Sequence, residues 1–441
     1  MTRRQRKPHP ELDVTIHTLS HDGRGITTIE GKTTFVHGAL AGETVTCKVT
    51  QQHRRYNEGI ATVIKVAAPE RVTAPCPHFG VCGGCSMQHM SVSDQIQFKQ
   101  KTLLEQLQHF GKVVPETLLA PITGEAWGYR RKARLGVRYV IKKEKLLVGF
   151  REKFSNYLAD IQSCLVLHPS VGTRITALAE LIASLNQYEH IAQIEVAVGD
   201  KVTALVFRHL TPLPETDCVK LSEFGKATGL HIYLQPNSPE QIHQLWPENQ
   251  TELLSYAIPD YDLTMQFHPL DFTQVNAEIN LLMIKQAMQL LAPGSEDRIL
   301  DLFCGLGNFT LPLARFAKEV IGIEGSDVMV KRAEMNAQYN HIDNAKFYAG
   351  NLMEPNEQAS WMQQKYDKIL LDPPRLGAKE IIEHFGKFAA KKILYISCNP
   401  ATLARDAGEL VYTHGYKLTH AGVMNMFAHT SHIEAMALFE K

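Results

Sequence analysis

Apolar and polar positions change their rhythm three times along this 441-residue chain. From 11 to 68 short β-type runs alternate with glycine turns. Residues 12–19, 33–36, 44–49 and 59–66 read as strands. His21-Asp22-Gly23-Arg24-Gly25 and Gly38-Ala39-Leu40-Ala41-Gly42-Glu43 read as turns. Such short strands predict a small OB-like barrel, and Pro69 and Pro75 then mark a linker. Residues 94–109 have helical periodicity, with Ile96, Leu103, Leu104 and Leu107 as the apolar face. From 127 to about 270 the pattern is mixed α+β, with strands expected at 135–141, 146–150, 191–198, 202–208 and 231–234 and helices at 170–185 and 215–228. After 272 the alternation becomes regular. Helices are expected at 275–292, 308–316, 326–340, 378–389 and 400–410, and strands at 298–303, 319–324, 345–349, 368–372, 392–397, 416–423 and 434–439. That order predicts a doubly wound parallel sheet. The expected division is therefore a barrel at 1–68, a central α+β domain at 69–271 and a Rossmann-like α/β domain at 272–441.

Charge adds little at the level of the whole chain, because 46 Lys and Arg balance 46 Asp and Glu. A nucleic-acid partner would need local patches. Arg3, Arg4, Arg6 and Lys7 form one, and Arg130, Arg131, Lys132, Arg134 and Arg138 another; solvated surface charge explains either equally well. Tyr56 and Tyr129 put aromatic rings near these charges. No apolar run is long enough to span a bilayer, so no membrane partner is expected. The basic start lacks an apolar core, so no signal peptide and a cytoplasmic location are expected. In that compartment the eight cysteines are ligands, nucleophiles or core residues rather than disulfides.

The third segment carries a nucleotide-cofactor pattern. Asp301 ends a strand, Gly305-x-Gly307 follows, and a helix comes next. Glycines there let backbone approach a ligand closely. Thr310 stands where a dinucleotide fingerprint would have its third glycine. Glu324 ends the next strand, placed to accept hydrogen bonds from ribose hydroxyls. Asp372-Pro373-Pro374-Arg375 ends a later one, its prolines holding the chain extended. Together these features resemble the class I S-adenosylmethionine methyltransferase fold, with NAD binding as the rival reading.

Cys398, in Ser397-Cys398-Asn399-Pro400, lies at the same strand-end edge. A buried free cysteine is usually a small hydrophobe. A thiol at a cofactor edge instead suits covalent catalysis. It would help where the target carbon is not itself nucleophilic, as C5 of uracil is not: thiolate addition at C6 makes C5 carbanion-like. A base must then remove the C5 proton. His429, His432 and Glu434 are the candidates, and the residues alone do not choose among them. Cys76-x5-Cys82-x2-Cys85 has metal-ligand spacing, with Cys164 the nearest fourth thiol. Four thiolates fit zinc or an iron–sulfur cluster. His78 and His89 read as local hydrogen-bonding residues.

With these residues placed, nearly the whole chain resembles the uracil-C5 RNA methyltransferase family. The carrying segments are the glycine turns of the barrel, the four cysteines, Phe272-Thr273-Gln274-Val275-Asn276, the Asp301 loop, the Asp372 run, Ser397–Pro400 and His432-Ile433-Glu434. The resemblance implies a TRAM RNA-binding barrel and a [4Fe-4S] cluster on Cys76, Cys82, Cys85 and Cys164. It implies Cys398 as nucleophile and Glu434 as base. It also implies S-adenosylmethionine held by Gln274, Phe303, Asn308, Glu324, Asn351 and Asp372, with Gln274 and Asp372 also facing a flipped base. Ala428 departs from the proline that relatives often carry, with little consequence expected. Barrel and cluster together imply 23S ribosomal RNA as substrate, on the expectation that tRNA-directed relatives lack both. No protein partner is implied. Two other readings are weighed. A non-catalytic RNA-binding assembly factor would not need an intact Cys398, Glu434 and glycine loop. An N-methyltransferase using Asp372-Pro373-Pro374 would need no cysteine.

Overall fold

The computed structural model describes residues 11–236, 238, 241–248 and 253–441. The basic run Arg3, Arg4, Arg6 and Lys7 lies outside them. The first sheet has six strands in the spatial order Glu11–Thr15, Thr44–Gln52, Tyr56–Val66, Lys32–His37, Gly25–Ile29, Thr18–Leu19. Its small core is Ile16, Ile29, Val36, Ala39, Val45, Cys47 and Val49. The strand Gly25–Ile29 falls partly inside a segment read as a turn. It forms because Glu30 and Gly31, both at positive φ (49° and 74°), close a two-residue hairpin back to Lys32. The buried Glu43 carboxylate accepts from the Leu40 and Ala68 amides (2.7 and 3.2 Å) and pairs with Arg71, tying the barrel to the chain that follows.

The central sheet also has six strands, ordered His243–Trp246, His231–Gln235, Thr203–His209, Ile191–Val198, Lys132–Val140, Lys145–Gly149. The helix expected over 170–185 is two pieces, Pro169–Gly172 and Ile175–Ala183. The break falls where the irregular segment around Cys164 docks. The Cys164 amide donates to the Gly172 carbonyl (2.8 Å), and a Cβ on Gly172 would stand 2.3 Å from the Cys164 carbonyl oxygen.

The third sheet has eight strands: Ala345–Ala349, Glu319–Glu324, Arg298–Leu302, Lys368–Leu371, Lys392–Ser397, Glu434–Glu440, Lys417–Met424 and Thr117–Leu118. Its inner strands are near-continuous apolar runs because both faces are covered, while the edge strands Ala345–Ala349 and Thr117–Leu118 are more exposed. Ile299, Val320, Leu370 and Leu394 pack on one side, and Leu300, Ile321, Ile369 and Ile393 on the other. The alternation predicts a parallel sheet, and the structure corrects this: one inner strand is reversed. Glu434–Glu440 runs antiparallel between Lys392–Ser397 and Lys417–Met424. An antiparallel strand begins where its parallel neighbours end, so Glu434 is delivered to the edge that carries Phe303, Glu324, Asp372 and Cys398. Two segments outside 272–441 also pack on this sheet. Helix Val92–Gln106 and the edge strand Thr117–Leu118 lie at one end, and the hairpin Leu254–Ile258/Leu263–Phe267 bonds to helix Asp327–Tyr339 through Asn336 and to Asn340 just beyond it.

Candidate active site

Cys398 and Glu434 meet through strand register. Ser397 is paired with Ala435, so the next rung outward opposes Cys398 to Glu434. The Cys398 thiol opens onto a groove lined by Arg375, Asn399, His432, Phe110 and His21, which runs from the sheet edge to the barrel. Burial pushes the Cys398 thiol up to about 11, with the Glu434 and Asp372 carboxyls adding to it and Arg375 opposing. Burial likewise raises Glu434 to about 8, reinforced by Asp372 and opposed by Lys99 and Arg375. Asp372 is raised to about 7 by burial. Three acids crowded at one half-buried edge favour a cationic ligand, because positive charge there stabilises all three ionised forms.

The glycine loop is built by left-handed residues: Phe303, Gly305 and Gly307 have φ of 63°, 55° and 95°. Phe303 carries a Cβ in that region, a conformation kept only when the surroundings enforce it. Here the Cys304 amide is fixed to the Ile323 carbonyl at 3.0 Å. Thr310 has a use that glycine could not fill: its hydroxyl donates to Asp301 Oδ2 at 2.5 Å. Glu324 accepts from the Gly305 amide through Oε2 and the Ser326 amide through Oε1, each at 3.1 Å. Its carboxylate therefore faces the loop. Asn308 exchanges hydrogen bonds with Asn280 (2.9 and 3.1 Å) and accepts from the Tyr256 hydroxyl (2.8 Å), leaving one amide proton free for a ligand. Gln274 Nε2 lies 3.5 Å from Asp372 Oδ2, a long contact that a bound group could replace. Asn351 is the outlier: it is exposed, and its Oδ1 accepts from the Met353 amide at 3.0 Å.

The two histidines part company with Glu434. His429 is buried, stacked on Trp127 at 3.8 Å between centroids, and its carbonyl accepts from the Ser86 and Met87 amides. Burial drives its imidazole down to about 4. It is a joint between two parts of the chain. His432 stands in the groove and meets Arg375 Nη2 at 3.0 Å. Of the three, only Glu434, half-buried, stands opposite Cys398. Tyr129, expected on an RNA-facing surface, is instead buried with its hydroxyl on the Ala428 carbonyl (3.0 Å), so it braces the loop before Glu434.

Cys76, Cys82, Cys85 and Cys164 line one cavity, walled by Phe79, Phe150 and Ile161. Among the described residues no three His, Cys, Asp or Glu side chains close on a point as a single ion requires. Burial and the neighbouring sulfurs push Cys85 up to about 12, a site that welcomes positive charge. His78 Nε2 accepts from the Gln162 amide at 3.3 Å, and His89 is buried against Phe79. The residues after Cys85 reach the 425–433 loop directly, since Ser86 Oγ also accepts from the Ser431 amide at 3.0 Å.

Of the basic patch at 130–138, Arg131 pairs with Asp200 (2.5 Å) and Arg134 with Glu195 (2.6 Å), so much of its charge is spent internally. The barrel keeps more on display. Arg54 and Arg55 are exposed beside a His53–Tyr56 stack (4.3 Å), and Arg24 covers Phe35. Lys99 is the residue that the sequence reading passed over. It is fully buried, on the same face as Ile96 and Leu103. A lysine three residues after and four before apolar positions of an amphipathic helix was the available signal.

Comparison with known proteins adds three findings. Residues 157–441 match the family described as tRNA (Uracil-5-)-methyltransferase, and residues 5–62 match the TRAM domain. The chain is 52% identical, over the full length of both proteins, to the 23S rRNA (uracil(1939)-C(5))-methyltransferase RlmD of Hahella chejuensis. It is 47% identical to that of Legionella pneumophila, covering 99% of this chain and 100% of that protein. Among solved structures, a Pyrococcus abyssi tRNA (uracil-54, C5)-methyltransferase in complex with S-adenosyl-L-homocysteine superposes with a TM-score of 0.74. It is 22% identical and covers 97% of this chain and all of its own. That coverage includes most of the barrel. The expectation that a tRNA-directed relative lacks this domain is therefore corrected: domain content does not separate the two substrates.

Proposed function

The chain belongs to the tRNA (Uracil-5-)-methyltransferase family, and we propose that it transfers a methyl group from S-adenosylmethionine to C5 of one uridine in 23S ribosomal RNA, in the cytoplasm. The observation that carries the chemistry is the facing of Cys398 and Glu434 at the cofactor edge. Full-length identity of about half to proteins named for 23S rRNA supports the substrate. Purified protein given labelled S-adenosylmethionine should place 5-methyluridine in unmodified 23S RNA; label in tRNA alone would overturn the substrate.

When bound, S-adenosylmethionine supplies an electrophilic methyl group and a positive sulfonium. Gln274, Phe303, Asn308, Glu324, Asn351 and Asp372 are the residues that would hold it. Cys398 adds as thiolate to C6 of the uracil, and the C5=C6 electron pair moves toward C5 and O4. C5 would take the methyl group that the sulfonium supplies, the S–CH3 bond breaking with its electron pair left on the neutral thioether product. Glu434 then removes the C5 proton, the C5=C6 bond re-forms, and the C6–S bond breaks to return the thiolate. Asp372 and Gln274 stand at the same edge to orient the ring. The uridine must leave its stack to reach this groove, at a cost of about a few kcal/mol.

Four thiols share one cavity, a donor set that suits four thiolate bonds to a [4Fe-4S] cluster, with zinc as the alternative. A cluster there would supply a rigid crosslink. Protein purified without oxygen is expected to be brown and to hold about four irons per chain. Stoichiometric zinc without visible absorbance would refute it. Substituting Cys82 should lower folded yield more than it alters the chemistry of the surviving fraction.

The barrel's exposed Arg54 and Arg55 are assigned to phosphate contacts. Replacing both by alanine in the full chain should weaken RNA binding and reduce the salt slope by roughly one to two. S-adenosylmethionine affinity should not change. An unaltered salt slope, from a plot of binding constant against salt, would remove these residues from the interface.

A further inference from the structure

Lys99 has no part in the steps above, yet it is fully buried beside them. Lysine is almost never sealed from water unless its ammonium is matched. Its Nζ donates to Asn425 Oδ1 (3.0 Å) and to the Phe427 carbonyl (2.9 Å). Those residues begin the loop that returns to Glu434. Met424, just before Asn425, is the strand partner of Glu434. The ammonium thus ends one residue from the rung that carries the base. An ammonium has three N–H donors, and two are used. The Glu434 carboxylate has no hydrogen-bond donor from the protein among the described residues.

The charged and titratable groups around this pair come from every neighbouring element. Asp372 and Cys398 present acids to Glu434, while Arg375 and Lys99 oppose them. His429 and His432 face Lys99 from the loop, and burial keeps both imidazoles toward the neutral form. Arg375 lies in the open groove and meets His432, so water and salt screen it. Lys99 is the cation that solvent cannot screen.

We propose that Lys99 is a positioning residue for the base step: a buried ammonium, fixed by Asn425 and Phe427 one residue from the Met424–Glu434 rung, whose charge favours the ionised Glu434 carboxylate while Cys398 is bonded to C6. The inference rests on the covalent route proposed above. In that step the C5–H bond breaks, its proton passes to a Glu434 oxygen, and its electron pair forms C5=C6. The C6–S pair returns to sulfur. Lys99 keeps its own protons throughout. Burial lowers Lys99 and raises Glu434, and the charge of each opposes the other's shift. Without the cation the carboxyl would hold its proton to still higher pH and act as a base only in more alkaline solution.

The test is a single-turnover reaction of the full-length enzyme with S-adenosylmethionine and a 23S RNA fragment. Wild type, Lys99→Met, Lys99→Gln and Lys99→Arg are compared. The readouts are the fraction of denaturation-resistant methylated adduct and its release rate from about pH 6 to about pH 10. Lys99→Gln can still donate to Asn425 and Phe427 but carries no charge, so it decides the question even if Lys99→Met does not fold. Both uncharged variants should accumulate adduct near neutrality, with release slowed about tenfold or more and its pH midpoint raised by about one unit or more. Release should recover at high pH, and Lys99→Arg should restore the midpoint. An unchanged midpoint, or an equal loss at all pH values without extra adduct, would overturn the inference. Failure of wild type to form any Cys398-dependent adduct on 5-fluorouridine RNA would instead remove the covalent route beneath it.

Discussion

Replacing Cys398 by alanine is expected to abolish methyl transfer, by about 10⁴-fold or more, the order of loss seen when a covalent nucleophile is deleted. S-adenosylmethionine binding should survive. The thiol stands in the groove with Arg375, Asn399 and His432. The residues assigned to the cofactor come from the glycine loop, Glu324, Asn351 and the Gln274–Asp372 contact. Removing the thiol also leaves Glu434 and Asp372 in place, so the pocket should keep its affinity for a cation. Isothermal titration with S-adenosylmethionine beside a turnover assay separates the two effects. Wild-type-like turnover by this variant would sink the covalent mechanism and revive an N-methyltransferase reading of the Asp372-Pro373-Pro374 run.

Glu434→Gln is expected to trap the enzyme on its RNA. The amide cannot take the C5 proton, so methylated uracil stays bonded to Cys398. Turnover should fall by about 10²- to 10⁴-fold, the usual worth of a positioned base. A denaturation-resistant protein–RNA band should appear on ordinary substrate. RNA with 5-fluorouridine at the target should give a similar band with wild type, because fluorine leaves no proton to remove; that band should need Cys398 and S-adenosylmethionine. His429→Ala should not trap an adduct. Its ring is stacked on Trp127, and its backbone is pinned by Ser86, Met87 and Gln95, so the substitution should cost stability. Trapping by His429→Ala or His432→Ala, without trapping by Glu434→Gln, would mean that the base is misassigned. The pH profile adds a check. Elimination needs ionised Glu434, which burial raises to about 8, so release should speed as pH rises through that value.

The catalytic sheet was largely legible because its strands are apolar on both faces. Glu319–Glu324, Ala345–Ala349 and Lys392–Ser397 begin and end where the pattern predicts. What the pattern does not contain is strand order. The antiparallel insertion of Glu434–Glu440 is a property of the assembled sheet, and it alone brings Glu434 across from Cys398. The hairpin Leu254–Ile258/Leu263–Phe267 escaped because its first strand is short and only its ends are buried. Gly172 broke an expected helix for a tertiary reason, the approach of the Cys164 backbone. Tyr129 and Arg131 looked like surface chemistry in one dimension. In three, one braces the loop before Glu434 and the other is paired with Asp200. Lys99 shows the converse: a charge on an apolar helix face was visible, and its partner, more than three hundred residues away, was not.

The most direct measurement is nucleotide-resolution mapping of 5-methyluridine in 23S RNA and tRNA from cells with this protein, without it, and with Cys398→Ala in its place. The mark should be present at one 23S uridine in the first, absent from that position in the other two, and unchanged in tRNA. An intact 23S mark in cells lacking the protein, or a loss confined to tRNA, would contradict the account.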